Sequence, residues 1–553
     1  MDFMAPGTTL PKRIDPKKLS PKQVKLHRRA RRMFGDGQFT GAETLYRDML
    51  RRSPGDITAI KALGNCLFEL GKLSEALDVY QHSLKLENDD YNVYLNLGNI
   101  ASRLGMPEAA IKFFTMVTNM RPADSAGYNN LASVLRSQGE YDRAIEILQT
   151  GVKVAPEEPK LWNTLGITAQ EAGHRAEAET FYQEALRFDP DFSEAQANLG
   201  LMLVEDGRFA DSINPLTEAI RMNSSDARAH FNMSIALGAV GRLADAWEEY
   251  EWRLDVAIPT SSIYEHDLPT WEDQEISDKG LLICCEQGIG DEIQFASTYK
   301  EVIPLAGHCL LECDRRLVSL FRRSFPTATP IPSDGYEKDG KRHRTYPFLQ
   351  SDPPIEYAAV AGSLRRKFRP TAESFLGKTP YLVPDPEKIT LWRERLDALG
   401  PGLKVGICWR SMVMTAERRK YYSEINDWEP VLKVPGVQFI NLQYDDCTDE
   451  IAIALDQFGA KLHVWEDTDL KDDLETVAAL VSQLDLVTTA PTMIHTLSGA
   501  LNVPTWMFAR HTNYAYKRFD SLETFSRSEA GGTEQLFQNM ADALTKRVAE
   551  YNK

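Results

Sequence analysis

Long apolar runs are missing from this 553-residue chain, and no stretch approaches the roughly 18 residues a membrane span needs. Positive charge is also in short supply. Lys and Arg number 63 against 80 Asp and Glu, for a formal net charge of −17, which argues against a protein built to bind nucleic acid. Cysteine is scarce and unpatterned: the seven cysteines include no CxxC. Cys284 and Cys285 are adjacent and Cys309 and Cys313 lie four apart, but no His or Cys cluster completes a zinc set. Residues Met1 to Gly7 lack the apolar core of a secretory signal. These absences predict a reduced, cytoplasmic protein with no transmembrane segment, no nucleic-acid partner and no metal site. What is present is 43% hydrophobic residues, enough for several cores. At about 100–200 residues per domain, the length implies three or four structural units.

The acidic excess is uneven. Residues 1–32 hold ten basic residues, among them Lys12, Arg13, Lys17, Lys18, Arg28 and Arg29, against two acids, Asp2 and Asp15. With Pro6, Pro11, Pro16 and Pro21, residues 1–22 read as an extended basic tail. Such a tail is either a solvated cap on the domain behind it or a docking arm for an acidic partner or an anionic membrane surface.

Residues 23–260 carry a period of 34. Glycine stands at 37, 71, 105, 139, 173, 207 and 241. Five residues after each glycine comes a small residue (Ala42, Ala76, Ala110, Ala144, Ala178, Ser212, Ala246), and four further on a bulky apolar one (Tyr46, Tyr80, Phe114, Leu148, Tyr182, Leu216, Tyr250). Seven residues before each glycine is another small residue, from Ala30 and Gly64 to Ser234. This pattern resembles the tetratricopeptide repeat (TPR), most clearly in Trp162-x-x-Leu165-Gly166. Each unit then reads as two amphipathic helices. The small residues allow close approach, the aromatic fills the gap, and the glycine takes a positive-φ turn. One pair cannot bury its apolar face alone, so seven should stack into a right-handed superhelix with a long concave surface.

Asparagine recurs on the first helix of these units: Asn96, Asn130, Asn198 and Asn232, with Thr164 at the intervening copy. A side-chain amide both donates and accepts, so a ladder of amides can pair with an extended peptide backbone whatever its sequence. The ladder resembles that of eukaryotic O-GlcNAc transferase. Asn is also common at this position in TPR sequences generally.

Beyond the repeats the periodicity changes. Residues 261–277 read as a linker, followed by short apolar runs alternating with helical stretches. Gly280–Cys285, His308–Cys313, Leu403–Trp409, Val437–Gln443, Leu486–Thr489 and Thr505–Phe508 read as strands, and Asp291–Val302, Arg315–Phe325, Leu474–Leu484 and Met493–Leu501 as helices. Alternation of this kind predicts parallel sheets covered by helices. The region divides into two Rossmann-like halves, 278–385 and 386–553, with a cleft between them.

Two loops carry chemistry. Glu286-Gln287-Gly288-Ile289-Gly290-Asp291 leaves a strand and opens a helix; it is neither GxGxxG nor a Walker loop. Asp291 at a strand's C-terminal edge is placed for ligand chemistry, or it caps the helix dipole. In the second half, Arg410 ends the strand Leu403–Trp409 and Gln443 ends the strand Val437–Gln443. Ala490-Pro491-Thr492 opens the helix bearing His495. Exposed amides with Thr492, His495 and the fixed charge of Arg410 form a diphosphate seat, unless His495 simply packs on its helix face.

Tyr250-Glu251-Trp252-Arg253, Glu286 to Asp291, Val405-Gly406-Ile407-Cys408-Trp409-Arg410, Leu484 to Val487 and His495 to Trp506 together resemble bacterial TPR-containing glycosyltransferases. These are related to the heptosyltransferase and O-GlcNAc transferase-like groups. The resemblance covers nearly the whole chain beyond the tail, in the expected order. It implies a GT-B fold, an acceptor side at 278–385, a nucleotide-sugar side at 386–553, and an inverting reaction with neither metal nor cofactor. Asp291 maps onto the general base, with Gln287, Gly288 and Gly290 in the acceptor loop. Arg410, Gln443, Thr492 and His495 map to the donor side. The acceptor would be a Ser or Thr hydroxyl of a polypeptide held in the TPR groove, with flagellin a target by family analogy. One departure stands out: Ala490-Pro491-Thr492 replaces the Asp-Thr-Gly usual in heptosyltransferases, so an acidic contact is missing. The alternative is a non-catalytic TPR scaffold with a degenerate transferase domain.

Overall fold

The computed structural model describes residues 12–14, 19–350, 353–412, 421–511 and 518–553. Most of the basic tail therefore lies outside the described residues, as do residues 413–420 and 512–517. The chain forms two compact units, Met1–Met202 and Leu203–Lys553.

Fourteen consecutive helices, in seven pairs, run from Pro21–Gly35 and Phe39–Arg52 to Ala227–Ala239 and Leu243–Tyr250. All seven periodic glycines take positive φ, between 68° and 89°, as the turn between paired helices requires. The small residues of the pattern have a steric cause. A Cβ on Gly64 would lie 2.6 Å from the Tyr80 ring, on Gly98 2.5 Å from Phe114, and on Gly166 2.7 Å from Tyr182. Each ring is at most 1% exposed, so it fills the space the missing side chain leaves. Helix starts repeat as well: Asp56, Asp90, Asp124 and Asp226 each accept a backbone N–H at a first turn. In the first unit, the described part of the tail is anchored where the Ile14 N–H donates to the Gly55 carbonyl at 2.9 Å and Arg13 pairs with Glu87.

The second unit holds the last repeat and three sheets. A four-stranded parallel sheet joins β2 (Ile276–Cys284), β3 (Ala306–Cys313), β4 (Thr329–Pro332) and β7 (Tyr357–Val360) in the order β4-β3-β2-β7. A six-stranded parallel sheet joins β8 (Leu403–Cys408), β9 (Val437–Asn441), β10 (Leu462–His463), β11 (Leu486–Thr489), β12 (Thr505–Ala509) and β13 (Leu522–Ser526) in the order β10-β9-β8-β11-β12-β13. The strands β8 and β11 are buried along their whole length, as parallel strands covered on both faces must be. The third sheet has no counterpart in the sequence pattern. It joins β1 (Ser262–Glu265), inside residues 261–277, to β6 (Lys341–Thr345) and β5 (Gly335–Lys338) in the order β1-β6-β5. One apolar core, including Trp392, Phe321 and Tyr299, draws on both parallel sheets. A second, with Trp409, Trp428 and Phe508, lies under the helix Thr533–Tyr551. Among the described residues no helix is long and apolar enough to cross a membrane.

Within this unit the end of the last repeat is tied to the first parallel sheet by a buried ion pair. Arg253 is 2% exposed and Glu286 3%. Arg253 donates from Nε to Glu286 Oε2 at 2.7 Å and from Nη2 to Oε1 at 2.8 Å. Its remaining N–H groups go to the Tyr250 carbonyl (3.1 Å), Glu251 (3.0 Å) and Ser363 Oγ (2.9 Å), so all five donors are taken.

Two substitutions test these packing arguments. Gly98→Ala forces the Phe114 ring aside and should cost about 1–3 kcal/mol, read as an earlier urea transition; an unchanged midpoint contradicts the steric account. Arg253→Met strands the Glu286 carboxylate and should cost about 3–5 kcal/mol. Arg253→Met with Glu286→Leu should recover part of that loss. Equal loss in the single and double variants would show that charge pairing is not the cause.

Candidate functional site

In a doubly wound sheet, ligands bind where the strand order reverses, beyond the carboxyl ends of the strands. The first sheet reverses between β2 and β7, and the second between β8 and β11. The loops leaving β2, β8 and β11 are ones the sequence singles out; the exit of β7 is not among them. Their helices meet closely: a Cβ on Gly290, in the helix Ile289–Phe295, would lie 3.4 Å from Thr496 Oγ1 and 3.6 Å from the Met493 Cα, in the helix Met493–Ala500.

The first loop is held from behind. Glu286 Oε1, besides pairing with Arg253, accepts the Gly362 N–H at 2.6 Å, which locks the β2 and β7 exits together. Gln287 follows with φ 55°, a conformation costly for a side-chain-bearing residue and concentrated at functional loops. Asp291 sits in the first turn of the helix, half-buried, with its N–H donating to the Gly288 carbonyl at 2.9 Å. Desolvation holds its carboxyl above the ordinary Asp range, against the Gly288 backbone and the Arg365 and Arg518 guanidinia, which favour the charged form.

The second loop is internally satisfied. Arg410 donates from Nε to Glu450 Oε1 at 2.7 Å, from Nη2 to Glu450 Oε2 at 2.8 Å and to the Asp446 carbonyl at 3.1 Å, and pairs with Asp445 through Nη1. Its charge is already matched by two carboxylates. Gln443 is buried and braces the same turn: Oε1 accepts the Trp409 and Arg410 N–H groups, each at 3.2 Å, and Nε2 donates to the Arg410 carbonyl at 3.0 Å. Thr492 caps its helix, accepting the Ile494 N–H at 3.3 Å, and its hydroxyl lies 3.7 Å from Cys408 Sγ. His495 Nδ1 faces the Thr492 carbonyl. A carbonyl only accepts, so Nδ1 carries the proton. Burial, with Arg518 nearby, pushes the ring's pKa down to about 3. The imidazole is therefore neutral at any physiological pH and presents Nε2 as an acceptor.

Sequence reasoning passes over the cations nearest Asp291. Arg365, in the helix Leu364–Phe368, is 6% exposed; its run Leu364-Arg365-Arg366-Lys367 looks like a solvated basic face. Arg518 couples to Asp291, Arg365 and His495, and burial beside Arg365 pushes its pKa down to about 9. The only signal for Arg253 is its place in Tyr250-Glu251-Trp252-Arg253.

The repeat asparagines are all half-buried. In the first unit, Asn96 Nδ2 donates to the Tyr80 hydroxyl at 2.9 Å and to Asn65 Oδ1 at 3.3 Å. Asn198 Nδ2 donates to Asn163 Oδ1 at 3.0 Å, and the Thr164 hydroxyl to Asn129 Oδ1 at 2.5 Å. Asn130 in this unit and Asn232 in the second occupy the same helical position of their own repeats. Amides on successive first helices thus hydrogen-bond from repeat to repeat along the first unit.

Residues 26–266 match the family model described as the Cilia and flagella-associated protein 70 C-terminal domain, a TPR model. Protein FlbA of Caulobacter vibrioides is 35% identical over 307 residues, which is 54% of this chain and 52% of that protein. The chain thus spans about half the length of that curated relative. Among solved structures, MamA protein is 21% identical and aligns with 30% of this chain and 92% of its own, with a TM-score of 0.29. A tetratricopeptide repeat protein from Parabacteroides merdae is 15% identical and aligns with 41% of this chain and 90% of its own, with a TM-score of 0.36. With the 34-residue period, the fourteen paired helices and the matching family model, residues 26–266 are a tetratricopeptide-repeat region, and two parallel α/β sheets follow it in the chain.

Proposed function

We propose that this chain is a GT-B-type glycosyltransferase that moves a sugar from a nucleotide-sugar donor onto a Ser or Thr hydroxyl of a polypeptide held by its repeats. The acceptor class suggested by family resemblance is a flagellar subunit such as flagellin. The observation that carries the reading is the meeting of the two switch-point loops, which sets a carboxyl with a raised pKa beside guanidinia and a neutral imidazole.

The chemistry is a single displacement. Asp291 takes the acceptor hydroxyl proton as that oxygen bonds to the anomeric carbon. The bond from that carbon to the phosphate oxygen breaks, and its electron pair leaves with the nucleotide. One direct attack inverts the anomeric centre, and base assistance of this kind contributes typically about 10²–10⁴-fold. His495, with Nε2 open as an acceptor, suits a hydroxyl of the sugar better than a phosphate oxygen. Arg410 and Gln443 act from behind by fixing the turn after β8. The amides of Asn96, Asn130, Asn198 and Asn232 pair with the acceptor backbone. Covalent linkage of repeats and cleft raises the acceptor's effective concentration.

A scaffold reading draws on one observation: the Arg410 charge is already spent on Glu450 and Asp445. It predicts a chain that binds peptide but neither binds nor hydrolyses any nucleotide sugar.

Asp291→Asn should abolish transfer while leaving the melting temperature unchanged or higher, because a desolvated carboxylate is removed. Retained turnover would place the base elsewhere. A base must be ionised, and the Asp291 carboxyl is held above its ordinary value. The acid limb of kcat/KM should therefore lie above pH about 4, the usual aspartate value, with activity lost as pH falls through it. A flat profile down to that pH contradicts the assignment. Changing Asn96, Asn130, Asn198 and Asn232 together to Ala should weaken binding of an extended acceptor peptide at least tenfold, at roughly 0.5–1.5 kcal/mol per backbone hydrogen bond. Unchanged affinity by calorimetry removes the ladder from the account.

A further inference from the structure

Three buried arginines of the second unit differ in what they meet. Arg253 has all five N–H groups taken, with Glu286 and Glu251 among the acceptors. Arg369 gives Nη1 to the Phe368 carbonyl at 2.6 Å and Nη2 to the Ser297 carbonyl, and its Nη1 forms an ion pair with Glu301 Oε2 at 2.7 Å, leaving Nε unpartnered. Arg365 is 6% exposed, and neither its Nε nor its Nη2 meets an acceptor among the described residues. Its Cζ stands 4.6 Å from the Phe295 ring centroid and 5.5 Å from that of Trp247. Aromatic faces steady a cation but supply no lone pair for its N–H groups. A buried charge in this condition is expensive unless a ligand completes it.

Its position says where that ligand lies. The helix Leu364–Phe368 follows directly from the β7 exit, whose Gly362 N–H is bonded to Glu286 of the β2 exit. Arg365 therefore stands at the point where the first sheet reverses, within electrostatic reach of Asp291 and of Arg518. Arg365 brings a buried positive charge with unpartnered N–H groups to that place, and the neutral His495 adds none. Arg410, the arginine on the nucleotide side, has both edges of its guanidinium committed to carboxylates.

We infer that Arg365, with Arg518 beside it, is the anion subsite of this cleft and takes the phosphate oxygens of the donor's nucleotide. The inference rests on the nucleotide-sugar reading and deepens it: the phosphate charge is met from the first α/β half, next to Asp291, not from Arg410. A planar fork with Nε and Nη2 unpartnered on one edge matches two oxygens of one phosphate. As the bond to the anomeric carbon breaks, the charge gathering on the phosphate falls on a group already desolvated and in place.

The test is calorimetric titration of sodium pyrophosphate into the full chain, with the melting temperature of each variant recorded. The unmodified protein should bind pyrophosphate, and more weakly as salt rises. Arg365→Gln should lose at least tenfold in affinity and Arg365→Lys should lose less. Asp291→Asn should bind more tightly, because a neighbouring negative charge is gone; a merely structural arginine would not produce that gain. If Arg365→Gln does not fold, Arg518→Gln and Asp291→Asn decide the matter by the same two shifts in opposite directions. A folded Arg365→Gln protein with unchanged affinity, or an unmodified protein that binds no pyrophosphate, overturns the inference. Pyrophosphate binding that needs Arg365 in a protein that transfers no sugar would leave the subsite standing and remove the transferase reading. Transfer that needs Asp291 but is indifferent to Arg365→Gln would do the reverse.

Discussion

The second unit depends on one buried contact, the bidentate pair of Arg253 and Glu286. Arg253 ends the last repeat, and Glu286 begins the loop that leaves β2. Burying two charges is costly, and here the cost is offset only because every donor of the guanidinium is used and the carboxylate also takes the Gly362 N–H. The local geometry is a consequence. Glu286 is held by both groups, Gln287 follows with positive φ, Gly288 caps the short helix, and Asp291 falls in its first turn. The residue proposed to do the chemistry is therefore positioned by groups that never touch a substrate.

A second buried network lies on the other side of the same helix. Glu292 accepts the Asp314 N–H at 2.7 Å, and burial pushes its carboxyl up to about 8. Glu312 accepts from the Cys285 N–H and the Tyr346 hydroxyl, each at 3.0 Å, and Arg344 lies 3.4 Å from it. These contacts tie β6, and so the small third sheet, to the parallel sheet. Adjacent residues thus differ: Glu292 is enclosed and structural, while Asp291 is half-buried. The difference comes from the direction each side chain takes off the helix, not from its chemistry.

The repeat was legible because its cause is local. Glycine turns and small residues against rings recur every 34 positions, and each reports on its own pair of helices. The central strands of the parallel sheets, β2, β3, β8, β9, β11 and β12, were legible for a related reason: β8 and β11, for example, are buried on both faces and so read as short continuous apolar runs, whereas the edge strands β4, β7, β10 and β13 were missed. The small sheet was not, since β1, β5 and β6 are polar and only partly buried, and the β1–β6 pairing joins residues about eighty positions apart. Some residues of the candidate site carried a sequence signal and others none. Motif spacing pointed to Asp291, Thr492 and His495. No local pattern distinguishes Arg365, buried against Phe295, from the neighbouring Arg366, whose side chain is 42% exposed. Nor could spacing show that Glu450 and Asp445 would neutralise Arg410.

The central claim is that the paired switch-point loops of the two α/β sheets bind an activated sugar. Thermal unfolding of the full chain against a panel of nucleotide sugars tests it most directly, because a ligand that binds only the folded state raises the apparent transition by mass action. The account predicts a concentration-dependent rise for at least one donor, diminished by Arg365→Gln. No rise with any nucleotide sugar, in a protein that still binds an extended peptide, would contradict it and leave a peptide-binding scaffold.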